Sequence, residues 1–142
     1  MTIGRLIEGR DCAILTCDVT TTVSDAVGML ADRRIGALPV LDGGSLAGIF
    51  SERDVIYRLR EFGPSVLERP VAEVMTAPAI TVEPQTSVLA ALSLMTRRRF
   101  RHLPVIDAGR MIALVSIGDL VKYRIDSIES EAEAMRSYIQ MA

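Results

Sequence analysis

The sequence predicts an α+β fold (α/β-like) built from two similar halves related by a pseudo-twofold axis, with a helical extension at the C-terminus. Three observations carry this. Residues 16–56 align with residues 81–121 without a gap, 65 positions apart, and 13 of the 41 pairs are identical. Average residue usage gives roughly two or three such matches by chance. Each copy then reads helix, strand, strand, helix, with a short strand in front. Last, residues 119–142 contain neither proline nor glycine and carry apolar residues at heptad spacing. Two copies are too few for a solenoid, which needs at least about three. The halves must therefore pack on each other, and the clefts between them are natural ligand sites.

The elements follow in order. Ala13–Cys17 reads as a short strand. Thr22 with Asp25 three residues on forms a weak capping box, and Val23, Ala26, Val27 and Leu30 recur at helical spacing to about Arg33–Arg34. Leu38–Leu41 is a strand, Asp42-Gly43-Gly44 a turn, and Leu46–Phe50 its hairpin partner. Ser51 caps a helix over Glu52–Arg60, which Gly63-Pro64 stops. The second half repeats this. Thr86-Ser87 opens a helix with Val88, Ala91, Leu92 and Met95 inward; Leu103–Ile106, the Asp107-Ala108-Gly109 turn and Met111–Val115 form a hairpin; Ser116 caps the last helix. Val71–Met75 reads as a helical turn before Pro78, and Met1–Gly9 as its equivalent for the first half. The expected units are 1–62 (first repeat with its N-terminal segment), 63–125 (linker and second repeat) and 126–142 (helical extension).

The extension breaks the symmetry. Val121, Ile125, Ile128, Ala132, Met135 and Ile139 follow one another at spacings of 4, 3, 4, 3 and 4, an a/d seam. Val121 to Ile128 could lie against the chain's own sheets. The rest points to a second copy and hence a homodimer, because a bare apolar stripe is unusual on a soluble protein.

Composition narrows the function. At 49% hydrophobic and 24% charged residues the chain is globular, and the scarcity of aromatics leaves a core of Val, Ile, Leu, Ala and Met. No apolar run approaches the roughly 18 residues that span a bilayer, and Met1–Arg10 lacks a signal-peptide core, so no membrane contact and a cytoplasmic location are the expectation. The net charge of −2 and few aromatics argue against nucleic acid. Cys12 and Cys17, the only cysteines, form no CxxC and read as buried free thiols; His102 is the only histidine, so no metal site is expected. Ser51 and Ser116 have no matched histidine, and no carboxylate cluster or P-loop occurs, so the chain does not read as an enzyme.

The chemistry-bearing motif is doubled: Gly48-Ile-Phe-Ser51-Glu-Arg-Asp54 and Ala113-Leu-Val-Ser116-Ile-Gly-Asp119. Each lies where an apolar strand meets a helix. A helix N-terminus offers free N–H groups and a positive dipole end suited to phosphate. Serine there can donate to a phosphate oxygen, and aspartate one turn deeper can accept both hydroxyls of a ribose. The plain alternative is a helix cap that needs no ligand.

These paired Leu-Pro-Val strands, each followed by a turn and an apolar strand ending in Ser-x-x-Asp, resemble the cystathionine-β-synthase (CBS) domain. With the Val71-Ala-Glu-Val-Met-Thr-Ala-Pro entry to the second copy, the chain resembles a tandem CBS pair, or Bateman module, of the short stand-alone bacterial type. The resemblance implies two β-α-β-β-α repeats packed sheet to sheet. It also implies two clefts that take AMP, ADP, ATP, NAD(H) or S-adenosylmethionine as regulatory ligands rather than an obligatory cofactor. On that footing Asp54 and Asp119 hold ribose hydroxyls, and Ser51 and Ser116 reach phosphate. Segments Met75–Val82 (with Ile80 and Thr81) and Cys12–Thr16 frame adenine, and Leu114 lines the second strand. Ile35-Gly36-Ala37 and Phe100-Arg101-His102 form the rims. Ala113 stands where the family commonly has glycine. Arg101 and His102 are candidate phosphate contacts, and Arg53 could supply the positive charge that the first rim lacks. The expected function is a non-enzymatic adenine-nucleotide sensor acting on an unidentified protein partner in trans; the alternative is a ligand-free interaction or dimerisation scaffold.

Overall fold

The structure, a computed structural model, describes residues 1–10 and 13–141. The first half contains β1 (Cys17–Asp18), α2 (Val23–Arg33), β2 (Ala37–Asp42), β3 (Ser45–Ser51) and α3 (Glu52–Phe62), behind an N-terminal helix α1 (Ile3–Ile7). Two 3-10 turns, Pro64–Glu68 and Val71–Glu73, lead to α4 (Val88–Arg98), β4 (His102–Asp107), β5 (Arg110–Ser116) and α5 (Ile117–Met141). The expected α+β architecture of two repeats with a C-terminal helix is what the chain adopts. Among the described residues, no helix is long and apolar enough to cross a membrane.

Local chemistry fixes most boundaries. Thr22 Oγ1 accepts from the Asp25 amide at 3.1 Å, and Ser87 Oγ from that of Ala90 at 3.0 Å, starting α2 and α4. Both helices end in an arginine in the left-handed region, Arg34 (φ 53°) and Arg99 (φ 57°). The hairpins turn on Gly43-Gly44 and Ala108-Gly109, all with positive φ, which matches the twist of the strands they join.

The sheets are less equal. β1 pairs parallel to β2, which is antiparallel to β3. β4 and β5 form a two-stranded sheet, and the third strand is reduced to one parallel bridge, Val82 to Val105, at the register of Cys17 with Val40. The strand expected over Ala13–Cys17 begins only at Cys17, because residues 13–15 leave the sheet to line a cleft. It ends at Asp18, where the Thr20 amide donates to the Asp18 carboxylate at 3.0 Å and the chain turns. Cys17 is buried, as expected, and burial first, then the Asp18 charge, pushes its thiol up to about 11. Cys12 lies outside the described residues.

Each half keeps its own core, but the entry segments are exchanged. Val66, Val71 and Val74 pack with Val23, Leu38, Val40 and Phe50 of the first half. Ile3 and Ile7 pack with Val88, Met95, Leu103, Val105, Val115 and Leu120 of the second. The backbone bonds repeat accordingly. The Val71 amide donates to the Thr21 carbonyl at 2.7 Å and that of Val23 to Arg69 at 2.8 Å; the Ile3 amide donates to Thr86 at 2.8 Å and that of Val88 to Met1 at 3.1 Å. The N-terminal segment therefore completes the second half, not the first as its position suggested.

α5 runs unbroken to Met141. Its inward line is Leu120, Tyr123 and Ser127, one or two residues off the heptad seam. Val121, Ile125 and Ile128 consequently face outward, at 41%, 50% and 48% exposure, and are not covered by the chain's own sheets.

Candidate functional sites: two clefts between the halves

The two Ser-x-x-Asp motifs sit where expected, at the junctions of β3 with α3 and of β5 with α5. Ser51 and Asp54 form a capping box: the Ser51 amide donates to Asp54 Oδ2 at 2.9 Å, and the Asp54 amide to Ser51 Oγ at 3.4 Å. Asp54 Oδ1 accepts from Thr76 Oγ1 at 3.0 Å. In the second copy the Ser116 amide donates to Asp119 Oδ2 at 2.8 Å, and the Asp119 amide to Ser116 Oγ at 3.2 Å. Arg10 pairs with Asp119 Oδ2 at 3.4 Å. The plain capping role is thus fulfilled, and the same half-buried carboxylates face a cleft.

The first cleft, of about 310 Å³, is lined by Ser51, Arg53, Asp54 and Tyr57, by Thr76, Pro78, Ala79 and Ile80, and by Arg98–His102. The second, of about 570 Å³, is lined by Ser116, Asp119 and Leu114, by Arg10, Ala13, Ile14 and Leu15, and by Arg33–Ala37. These lists correspond at the 65-residue offset: Ile49 with Leu114, 78–80 with 13–15, and 98–102 with 33–37. Two pseudo-equivalent clefts result.

Their walls cross between halves. The rim built by the end of α4 and the start of β4 (Arg98–Arg101) belongs to the cleft of Asp54, while Arg33, Arg34 and Ile35 belong to that of Asp119. Sequence position alone had assigned the basic rim to its own half and left the Asp54 cleft short of positive charge; that cleft in fact gathers Arg53, Arg98, Arg99 and Arg101. Gly36, Ala37 and His102, near the axis, line both. Thr81 lines neither, because the chain rejoins β4 at Val82, whose amide donates to the Pro104 carbonyl at 3.0 Å. Thr76 falls in the segment expected to frame the ligand, but its bond to Asp54 was not anticipated, nor were Tyr57, Glu52 and Arg10. Thr76 and Arg10 reach their aspartates across a separation in sequence that no local pattern reports, while Glu52 and Tyr57 flank Asp54 on α3.

Two of these cations, Arg101 and Arg53, are engaged within the protein. Arg101 pairs with Glu52 at 2.6 Å, both side chains about half exposed, so the pair adds little to stability. Arg53 donates to the carbonyl of Arg99 at the end of α4. His102 starts β4 opposite Ser116 and is half-buried. Burial first, then the Arg101 charge, lower its pKa, against the pull of Glu52 and Asp119.

Backbone packing sets how closely segment 75–76 approaches β3. A Cβ on Gly48 would lie 2.7 Å from the Thr76 carbonyl oxygen, so only glycine lets segment 75–76 bridge to β3 through Ile49. Ala113 holds the equivalent place with a Cβ, and its cleft has the larger volume of the two.

Comparison with known proteins agrees with this architecture. Residues 10–61 and 71–126 each match the CBS domain family. The CBS domain-containing protein CBSX3, mitochondrial, of Arabidopsis thaliana is 40% identical over 138 residues, 94% of this chain and 67% of its own length. The protein CBSCBSPB1 of the same plant is 37% identical over 133 residues, 93% of this chain but only 24% of its own length. Among solved structures, a CBS-domain protein from Burkholderia ambifaria MC40-6 superposes with a TM-score of 0.84 at 40% identity, over 89% of this chain and 95% of that one. The structure of CBSX2 in complex with AMP superposes with a TM-score of 0.73 at 27% identity, over 88% and 96%. With two domain matches in register with two structural repeats, the chain belongs to the CBS-domain family.

Proposed function

We propose that the chain is a non-enzymatic regulatory module that takes an adenine nucleotide in each of its two clefts and signals to a protein partner. The observation that carries this reading is the duplication of one cleft design. In each, a helix N-terminus presents a serine and an aspartate, a short apolar segment forms one wall, and an arginine-bearing rim from the other half forms the opposite wall. The cap bonds hold each aspartate in place for ribose hydroxyls, the apolar segments suit an adenine face, and Arg101 with the α3 N-terminus suits phosphate. The AMP complex of CBSX2 favours AMP as the first ligand to test. ADP, ATP, NAD(H) and S-adenosylmethionine complete the panel.

The test is thermal shift followed by calorimetry. Ligand at about 100 times its dissociation constant raises stability by about 2.7 kcal/mol. Two equivalents of AMP are expected in the wild type and one in each of Asp54→Ala and Asp119→Ala, every variant being compared with its own baseline because a lost cap lowers it. A flat panel, with no ligand moving the melting temperature, would instead support the ligand-free scaffold. One observation favours that second reading: both aspartates already have protein partners, Thr76 and Arg10.

The exposed seam of α5 supports a homodimer as part of the same proposal. Ile125, Met135 and Ile139 are half or more exposed along one stripe, and a second copy would cover them. Truncation after Ser127 is expected to weaken the dimer in light scattering and to leave AMP binding intact; a truncated chain that stays dimeric at low micromolar concentration excludes this helix as the dimerising element.

A further inference from the structure

The two clefts share a wall. Gly36 and His102 line the Asp54 cleft and the Asp119 cleft, and both also line a third, more open groove beside α2 and α3. The imidazole lies against Gly36: a Cβ there would be 3.2 Å from His102 Cε1 and 3.6 Å from Nε2. The residue equivalent to His102 is Ala37, which is buried and small, so the pseudo-twofold axis accommodates one imidazole where strict symmetry would demand two. The charged groups around it are Arg101 just before its strand, Glu52 on α3, Asp119 on α5, and Arg34 and Arg10 across the Asp119 cleft.

We infer that His102 couples the two clefts, so that a ligand phosphate held in one lowers the affinity of the other. The chemistry follows from one ring between two sites. A neutral imidazole carries a single N–H donor and an imidazolium carries two. In the neutral form the donor turns toward the first anion bound, and the second meets a ring nitrogen lone pair. Protonation supplies a donor to each side, so the antagonism fades as the pH falls. Burial keeps the ring neutral near pH 7 in the ligand-free protein, and the bound anions draw the proton on. The inference rests on the nucleotide reading above and adds that the two sites are not independent.

AMP is the probe, and calorimetry the measurement. Asp54→Ala and Asp119→Ala each leave one cleft and report its affinity with the other empty. At pH 8 the second AMP on wild type is expected to bind about five- to tenfold more weakly than the weaker of these two single-cleft affinities, a coupling of ordinary allosteric size. At pH 5.5 the gap should close. His102→Ala should bind both AMP more weakly, since it has lost the ring donor, but without a gap. Its steps should equal the affinities that Asp54→Ala and Asp119→Ala show when combined with His102→Ala, at both pH values. His102→Gln, which keeps an N–H donor and side-chain bulk without titrating, should retain the gap at both. Wild-type steps that equal the single-cleft affinities at pH 8, or a gap that survives in His102→Ala, overturn the coupling while leaving the nucleotide reading intact. Absence of AMP binding to wild type overturns both.

Discussion

At the pseudo-twofold axis the first half presents Gly36-Ala37 and the second presents Arg101-His102. Near-identical halves cannot both place bulky groups on a shared axis, since each would occupy the space of its twin. One copy retreats to glycine and alanine, and the other crosses over: His102 rests on Gly36, and Arg101 reaches Glu52 of the first half at 2.6 Å. The divergence of the repeats at this register is therefore what lets them pack. A second difference lies in the strands: Gly48 admits segment 75–76 close to β3, its equivalent in the second half is Ala113, and the clefts measure about 310 and 570 Å³.

The comparison can be broken most forcefully at the entry segments. Ile3 is fully buried in the core of the second half, so Ile3→Ala should cost about 2–5 kcal/mol. Native-state hydrogen exchange should show the loss first at the amides of Leu103 and Val115, with those of Leu38 and Phe50 less affected. The opposite order would return the N-terminus to the first half.

Next in size is the crossed rim. Arg101→Ala should weaken AMP at the Asp54 cleft by about 1.5–3 kcal/mol, the worth of a charge-assisted hydrogen bond, and leave adenosine almost unchanged. Calorimetry on the Asp119→Ala background isolates that cleft. Equal losses for both ligands would mean that Arg101 only braces Glu52.

The two caps offer a smaller contrast. Ser51→Ala and Ser116→Ala should each cost about 0.5–2 kcal/mol in chemical denaturation. The loss should be greater at Ser51, whose hydroxyl also donates to Asp54 at 3.2 Å. Equal losses would show that this extra bond adds nothing.

The smallest effect expected is on the pH dependence of stability. The pKa of His102 in the folded chain lies below its ordinary value near 6.5, so the unfolded chain takes up the proton more readily. Stability is thus retained above that value and lost as the pH falls through and below it. The drop in melting temperature from pH 7.5 to pH 5.5, without ligand, should be smaller in His102→Gln than in wild type. An equal drop would place the burden on the carboxylates.

Much of this was legible in the chain itself. The repeat, the order of elements, both hairpins and both Ser-x-x-Asp caps follow from local patterns and repeat at one offset. What escaped is non-local. Ile3 and Ile7 carry an apolar rhythm that would suit either core, and only the backbone bonds to Pro84 and Thr86 decide between them. The rims cross halves, so reading each half alone paired Arg101 with the wrong aspartate. The seam of α5 was correctly periodic but misplaced by one or two residues relative to the core, since Leu120 and Val121 are both apolar and only packing selects the inner one. Thr81, one residue before a sheet bridge, shows how short the cleft-lining segment is.

The exchanged entry segments have a last consequence. The segment at residues 1–4 and the one at 69–72 make the same bonds to opposite halves, 68 residues apart where the rest of the repeat is spaced by 65. One repeat carrying its own leading segment could not close its core with it; the segment would seek a second copy. The geometry is that of a domain-swapped dimer whose two subunits have been joined end to end. Cutting the chain between Phe62 and Gly63 would leave each fragment holding the plug for the other, so that neither folds alone and the two regain structure on mixing.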